Sequence, residues 1–284
     1  MSSVDLAALQ AWIGRTETRS DVISPVPAAG MSATLDYSSS RASVGEPLPP
    51  AWHWLYFLQT PAASDIAVDG HAARGGFLPP VPLQRRMWAG SEIRFDTPLH
   101  IGDEVRREST VVDINHKQGA SGELVFVTVE HHIYCGEIHA IEERQNLVYR
   151  SADGGQSQAA AKPAPAQAQW SMAVRPDPVM LFRYSALTFN SHRIHYDRDY
   201  AMAEEAYAGL VVQGPLTATL LLELLQRELP GAQLQTFRFR GVKPLLEGQS
   251  FQVQGRRDGF LVHLWALDRS GALAMDAQVV LREA

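Results

Sequence analysis

The chain has 284 residues, with 25 Lys and Arg against 31 Asp and Glu, giving a formal charge of −6 at pH 7. That length is one large domain or two of ordinary size. Hydrophobic residues at 45% and charged residues at 20% belong to a chain with a core to bury, which excludes a disordered or filamentous segment. With no block of Lys or Arg, nothing recruits a nucleic acid backbone, and any anionic ligand has to be met by a local cluster. The single cysteine, Cys135, excludes an intramolecular disulfide, a CxxC pair and a zinc ribbon. Asp5 stands where a signal peptide needs its basic region, and Ala208–Leu225 is broken by Gly209, Gln213, Gly214, Pro215 and Glu223. The expectation is a soluble cytoplasmic protein with no membrane or nucleic acid partner.

In chain order, the first strong element is AWHWLYFLQ (Ala51–Gln59). It follows Pro50 and is read as an apolar helix with proline at its first position. Trp52, Trp54, Tyr56 and Phe57 within it suit either a core or the wall of a tunnel. Val105–Ile114 and Leu124–Tyr134 then alternate with period two around the turn signal Gly119-Ala-Ser-Gly122, as in an antiparallel meander. Ser151–Gln169 holds only Ala, Gln, Ser, Gly, Pro, one Asp and one Lys. It has nothing to bury and reads as a linker between units 1–150 and 170–284.

The second unit repeats the plan. Leu216–Glu228 follows Pro215 and is apolar nearly all round, so it is expected to be a buried helix. Phe251–Arg257, Phe260–Leu267 and Leu273–Leu281 form a second meander, divided at Asp258-Gly259 and Arg269-Ser-Gly271. Pro98 and Gly102 map onto Pro244 and Gly248 at one offset of 146 residues, within Ile93–Ser109 and Phe237–Val253, which points to a duplicated unit. A buried helix wrapped by an antiparallel sheet, present twice, is an α+β double hot dog.

The densest chemistry lies in RYSALTFNSHRIHYDRDYA (Arg183–Ala201) and the following GLVVQGPL (Gly209–Leu216). Two histidines among Asn, Thr, Tyr and Asp are suited to proton transfer near neutral pH. The same residues suit a hydrogen-bonded junction between elements, and residue types alone do not choose. No GxSxG elbow, GxGxxG turn or Walker loop is present. In EHHIYCGEIH (Glu130–His139), His131 and Cys135 would lie roughly 13 Å apart along a strand with His132 on the other face, so no metal site is expected.

Arg183–Ala201 with GLVVQGP resembles the hydratase motif of the MaoC-like hydratases and dehydratases. WIGRTETRSDVI, PAWHWLYFLQ and GGFLPPVPLQRRMWAGSEIRF resemble the first hot dog of that group. Within the family the chain resembles hydratases of mesaconyl-C(4)-CoA and itaconyl-CoA and mitochondrial type 2 3-hydroxyacyl-thioester dehydratases. The family pattern is Gly-Asp-x-Asn-Pro-aliphatic-His. Aligning its His on His195 puts Asn190 on the Asp and His192 on the Asn. An amide cannot take up a proton at neutral pH, so the usual two-residue acid and base cannot be carried over intact.

The resemblance implies hydration of an α,β-unsaturated acyl-CoA, or its reverse, with no separate cofactor because coenzyme A is part of the substrate. It implies His195 as base and then acid near its ordinary pKa, Asn190 holding water, His192 as a second base, and the N–H of Gly214 facing the thioester oxygen. For the phosphates of CoA the cationic groups are Arg238, Arg240 and Lys243, or Arg85 and Arg86. For a free acyl carboxylate they are Arg193 and Arg183. A fatty-acid-type dehydratase, a thioesterase, a non-catalytic acyl-CoA-binding protein and a homodimer are the other expectations left open.

Overall fold

In the computed structural model, which describes residues 4–119, 122–151 and 162–283, the first half contributes α1 (Leu6–Gln10), β1 (Thr16–Val22), α2 (Pro25–Thr34), β2 (Arg85–Phe95), β3 (Glu104–Gly119), β4 (Gly122–Cys135) and β5 (Ile138–Arg150). The second half contributes β6 (Trp170–Val174), α3 (Pro178–Leu187), α4 (Arg198–Ala203), α5 (Gly214–Glu228), β7 (Leu234–Gly241), β8 (Phe251–Asp258), β9 (Leu261–Leu267) and β10 (Leu273–Leu281). The strands form one antiparallel sheet ordered β1-β3-β4-β5-β2-β7-β10-β9-β8-β6. From the β2–β7 joint outward, the second half repeats the order of the first.

The joint is itself symmetric. Glu92 pairs with Arg238 in the β2–β7 register, and these two positions differ by the same 146-residue offset that relates Pro98 to Pro244. The pseudo-twofold axis therefore passes through a pair of equivalent residues. Gly102 (φ 103°) and Gly248 (φ 69°) are left-handed turns. Gly102 N–H donates to Ile23 O and Gly248 N–H to Pro176 O, each at 2.8 Å. Ile23 and Pro176 each stand two residues before a ten-residue helix that opens on proline, α2 or α3. The duplication thus extends to helices the sequence echo did not reach.

The two halves differ in the central helix. α5 is buried along Leu216–Leu222 and at Leu224 and Leu225, and its leucines join Phe237, Phe251, Val253 and Val262 in the main core. The expected first-half helix over Ala51–Gln59 is instead a single 3-10 turn, Trp52–Leu55, bracketed by left-handed Ala51 and Phe57. Aromatic residues are mediocre helix formers, and here the chain bends to bring His53 and Trp54 together on one buried carboxylate, Glu143. Losing the helix leaves space on the concave face of the first-half sheet.

The expectation that Ser151–Gln169 buries nothing fails at its end. Lys162 O accepts from Leu273 N–H at 2.8 Å, and Ala164 and Ala168 pack with Trp265, Leu267 and Leu273. Small side chains fit where the sheet leaves a shallow gap. Residues 152–161 of the proposed linker, and Ala120 and Ser121 of the expected β3–β4 turn, lie outside the described residues. No helix among the described residues is long and apolar enough to cross a membrane.

Candidate functional site

A cavity of about 960 Å³ lies between the halves, walled by the concave face of the first-half sheet, the 189–195 segment and the start of α5. The segment is placed by α3. After Leu187 the chain turns at left-handed Phe189 (φ 48°), Asn190 N–H returns to Ser185 O at 2.8 Å, and a 3-10 turn covers Arg193–His195. Asp197 then caps α4 by accepting from Tyr200 N–H at 3.0 Å. In this tight turn Arg193 faces outward and His195 inward.

His195 is buried, and its Nδ1–H donates to Val211 O at 2.7 Å. Val211 N–H donates back to Ile194 O at 2.9 Å, so the ring sits on a two-bond ladder. Burial, aided by the nearby His192 charge, pulls the His195 pKa down to about 3. The ring is therefore neutral at physiological pH, with its proton on Nδ1 and the lone pair on Nε2. This corrects the expectation of a near-ordinary pKa: the site holds His195 in its base form by keeping it dry.

Gly214 opens α5, whose first N–H groups lack intrahelical partners and carry the positive end of the helix dipole. A Cβ placed there would meet only Trp88 O, at 3.7 Å. The protein itself leaves that side open, and both residues line the cavity. Gln213 anchors the helix start, its Nε2 donating to Leu181 O (2.9 Å) and Ser185 Oγ (3.0 Å), while its buried Oε1 has no partner among the described residues. Asn190 lines the cavity too, with its Oδ1 accepting His192 N–H at 3.1 Å and its NH2 left to hold water.

Sequence reasoning missed a second layer. His192 Nε2 lies 3.2 Å from Glu205 Oε1, both side chains buried, and the His192 and His195 rings meet edge-on at 5.4 Å. His71 packs 4.0 Å from His192, with its Nδ1 3.1 Å from Asp69 Oδ2. Burial and the Arg86 charge lower His71 to about 3. Asp69, His71 and His192 also approach closely enough to hold a cation, though Nδ1 of His71 and Nε2 of His192 are already engaged with Asp69 and Glu205. Nothing in the spacing signals Glu205, Asp69 or His71, because tertiary contacts deliver them. The 69–71 loop is docked through Arg193 N–H to Asp69 O (2.9 Å) and Ser191 Oγ to Gly70 O (2.5 Å).

The first-half wall is partly polar. Glu143 accepts from His53 Nε2 (3.0 Å), Trp54 Nε1 (3.0 Å) and Ser91 Oγ (2.7 Å). Burial alone would raise its pKa, but the bond and charge of His53, with help from His131 and Ser91, bring it down to about 2. His131 shares its Nδ1 with Ser109 Oγ at 2.8 Å, and burial lowers it to about 4.

The expected anion-binding groups divide. Arg86 and Lys243 line the cavity, although Lys243 is paired with Asp268. Arg85 is buried against Glu205 at 4.0 Å, where it supports the histidine cluster and cannot reach a phosphate. Arg238 and Arg240 are exposed on β7, opposite buried Phe237 and Phe239, and neither lines the cavity. Arg193 lies outside the cavity, held by Asp197 at 2.7 and 3.0 Å and packed on Tyr200. Arg183 also lies outside, donating to Ala33 O at 3.3 Å. Neither Arg193 nor Arg183 is placed to read an acyl group.

A duplicated antiparallel sheet around a buried helix, with the His195 imidazole and the helix start lining one cavity, defines a double hot dog. The chain belongs to the hydroxyacyl-thioester dehydratase type 2 family, whose model matches residues 51–247. It is 46% identical to mesaconyl-C(4)-CoA hydratase of Chloroflexus aurantiacus over 288 aligned residues, 99% of each chain. It is 28% identical to the mitochondrial hydroxyacyl-thioester dehydratase type 2 of Schizosaccharomyces pombe, over 72% of this chain and 77% of that one. The fold matches a MaoC-like dehydratase from Phytophthora capsici with a TM-score of 0.71 at 14% identity, over 99% of this chain and 98% of that one. The protein is an enzyme of the hydro-lyase class, of the hydratase and dehydratase type.

Proposed function

We propose that this enzyme adds water across the double bond of a short, branched, dicarboxylic enoyl-CoA of the mesaconyl-C(4)-CoA kind, giving citramalyl-CoA. The observation that carries the reading is His195, neutral with Nε2 free and next to the start of α5. Water bonds through oxygen to the β-carbon as His195 Nε2 takes its proton. The π pair moves toward the α-carbon and thioester oxygen, where the Gly214 N–H and helix dipole meet the growing charge. The same proton then goes from the imidazolium to the α-carbon, so one group serves as base and acid. A ring whose protonated form is disfavoured by burial gives that proton up readily.

Asn190 orients the water through its NH2, and His192, held on the Glu205 carboxylate, stands beside His195 where the motif lacks an acid at position 190. The polar wall at Glu143 and His131 fits a short polar acyl group better than a long fatty chain. Itaconyl-CoA yields the same product, but its double bond is not conjugated with the thioester, so the oxygen cannot share the charge. The test is a panel of mesaconyl-C(4)-CoA, itaconyl-CoA and crotonyl-CoA, following enoyl-thioester absorbance for the two conjugated substrates and formation of the hydroxyacyl-CoA by chromatography for all three, beside free thiol. The reading expects fastest product formation with the first and no thiol. Thiol release makes the protein a thioesterase, and binding without turnover makes it an acyl-CoA-binding protein.

A further inference from the structure

Arg86 is a cavity-facing cation with no hydrogen-bond or ion-pair partner among the described residues. Of the other cations, Arg85 faces Glu205, Arg107 lies 3.8 Å from Glu17 and Lys243 is paired with Asp268, while Arg150 also lines the cavity with a buried Nε that has no partner among the described residues. Half-buried at the wall of the cavity and without an anionic partner, the Arg86 guanidinium is a ready partner for a ligand carboxylate.

Its position narrows the anion. Two residues further along β2, Trp88 O lies against the start of α5, at 3.7 Å from a Cβ placed on Gly214. Residues two apart on a strand share a face and lie roughly 6.6 Å apart, so Arg86 projects beside Trp88 on the cavity side. On the other side Arg86 is, after burial, the largest influence on His71. His71 packs 4.0 Å from His192, which meets His195. Arg86 therefore borders the space between the α5 start and the histidines, where the reacting carbons must lie.

In the C(4) thioester of a methyl-branched C5 enoyl dicarboxylate, the free carboxylate sits on the β-carbon, the atom that water attacks. Such a carboxylate cannot be read from a distant part of the cavity. It has to be met beside His195. We infer that Arg86 binds the free carboxylate on the β-carbon of the substrate, and so sets the preference for a dicarboxylic acyl group. The bidentate guanidinium fixes the β-carbon face presented to His195 and neutralises a charge that would otherwise be desolvated next to a dry imidazole. This inference rests on the dicarboxylic reading of the function.

The test compares kcat/KM for mesaconyl-C(4)-CoA and crotonyl-CoA in the wild type, Arg86→Met and Arg86→Lys, with free coenzyme A as a competitive inhibitor. The expected result is a fall of about a hundredfold in the mesaconyl-to-crotonyl selectivity ratio for Arg86→Met, partly restored by Arg86→Lys, with coenzyme A inhibition like that of the wild type. Crotonyl-CoA turnover reports that the variant is folded. If Arg86→Met weakens both substrates equally and raises the inhibition constant of coenzyme A, Arg86 clamps a phosphate and the inference is overturned. An unchanged ratio with unchanged inhibition overturns it as well, while wild-type turnover of mesaconyl-C(4)-CoA leaves the functional reading intact. If the wild type hydrates crotonyl-CoA and not mesaconyl-C(4)-CoA, both fall together.

Discussion

His192 Nε2 and Glu205 Oε1 stand 3.2 Å apart, both buried, and the His192 ring lies edge-on to that of His195. A carboxylate absent from position 190 is thus present nearby, delivered through an imidazole from a residue just beyond α4. Glu205→Gln keeps an oxygen for the His192 N–H and removes the charge. The expected outcome is a drop in kcat of about tenfold to a hundredfold with KM little changed. A loss of thermal stability alone, with normal kcat in the folded fraction, would reduce Glu205 to a structural role.

Asn190→Asp tests the other half of that exchange. Asp can still accept His192 N–H as Asn190 does at 3.1 Å, so the turn should survive. The variant should stay active and gain a new acidic limb in its pH–rate profile, from a carboxyl that must ionise, whereas Asn190→Ala should lose water positioning and fall further. A pH profile unchanged from wild type in Asn190→Asp would place residue 190 outside the reaction.

Gly70 holds the 69–71 loop on the catalytic segment. With φ 89°, a Cβ there would overlap the Ser191 carbonyl oxygen. Gly70→Ala should push Asp69 and His71 away from His192 and cost activity well before it costs the fold. Steady-state rates beside a melting curve separate the two.

Acid sensitivity follows from the buried histidines. His195 and His71 are lowered to about 3, and His131 to about 4, mainly by burial. Each binds a proton in the unfolded chain near pH 6.5 and resists it when folded, so their contribution is complete above about 6.5 and declines as pH falls. Each can remove up to about 1.4 kcal/mol per pH unit in that window. Denaturant midpoints should drop steeply between pH 6.5 and 4.5, above the range where Glu143, held at about 2, begins to contribute. A flat profile over that interval would mean these rings are solvated.

What was legible follows from how local each signal is. β3, β4, β8, β9, β10 and α5 read directly, because period-two alternation and a leucine-rich run report burial from neighbouring residues, whereas β5 was not singled out. The first-half helix misread because an apolar aromatic run does not reveal that His53 and Trp54 are required at Glu143, some 90 residues away. His195, Asn190 and Gly214 read as one motif and meet in one cavity. Asp69, His71 and Glu205 carried no signal, since only the fold brings them to His192. Arg193 misled by proximity: in a 3-10 turn, residues two apart point about 120° away from each other, which puts Arg193 on the outer side and His195 on the inner one.

The central claim is that His195 alone takes and returns the proton. The direct measurement is single-turnover hydration of mesaconyl-C(4)-CoA, by loss of enoyl-thioester absorbance, in wild type, His195→Ala and His192→Ala. The account predicts a loss of at least about a hundredfold for His195→Ala, a smaller one for His192→Ala, and no free thiol in either. Near-normal hydration by His195→Ala, with hydration abolished in His192→Ala, would contradict it.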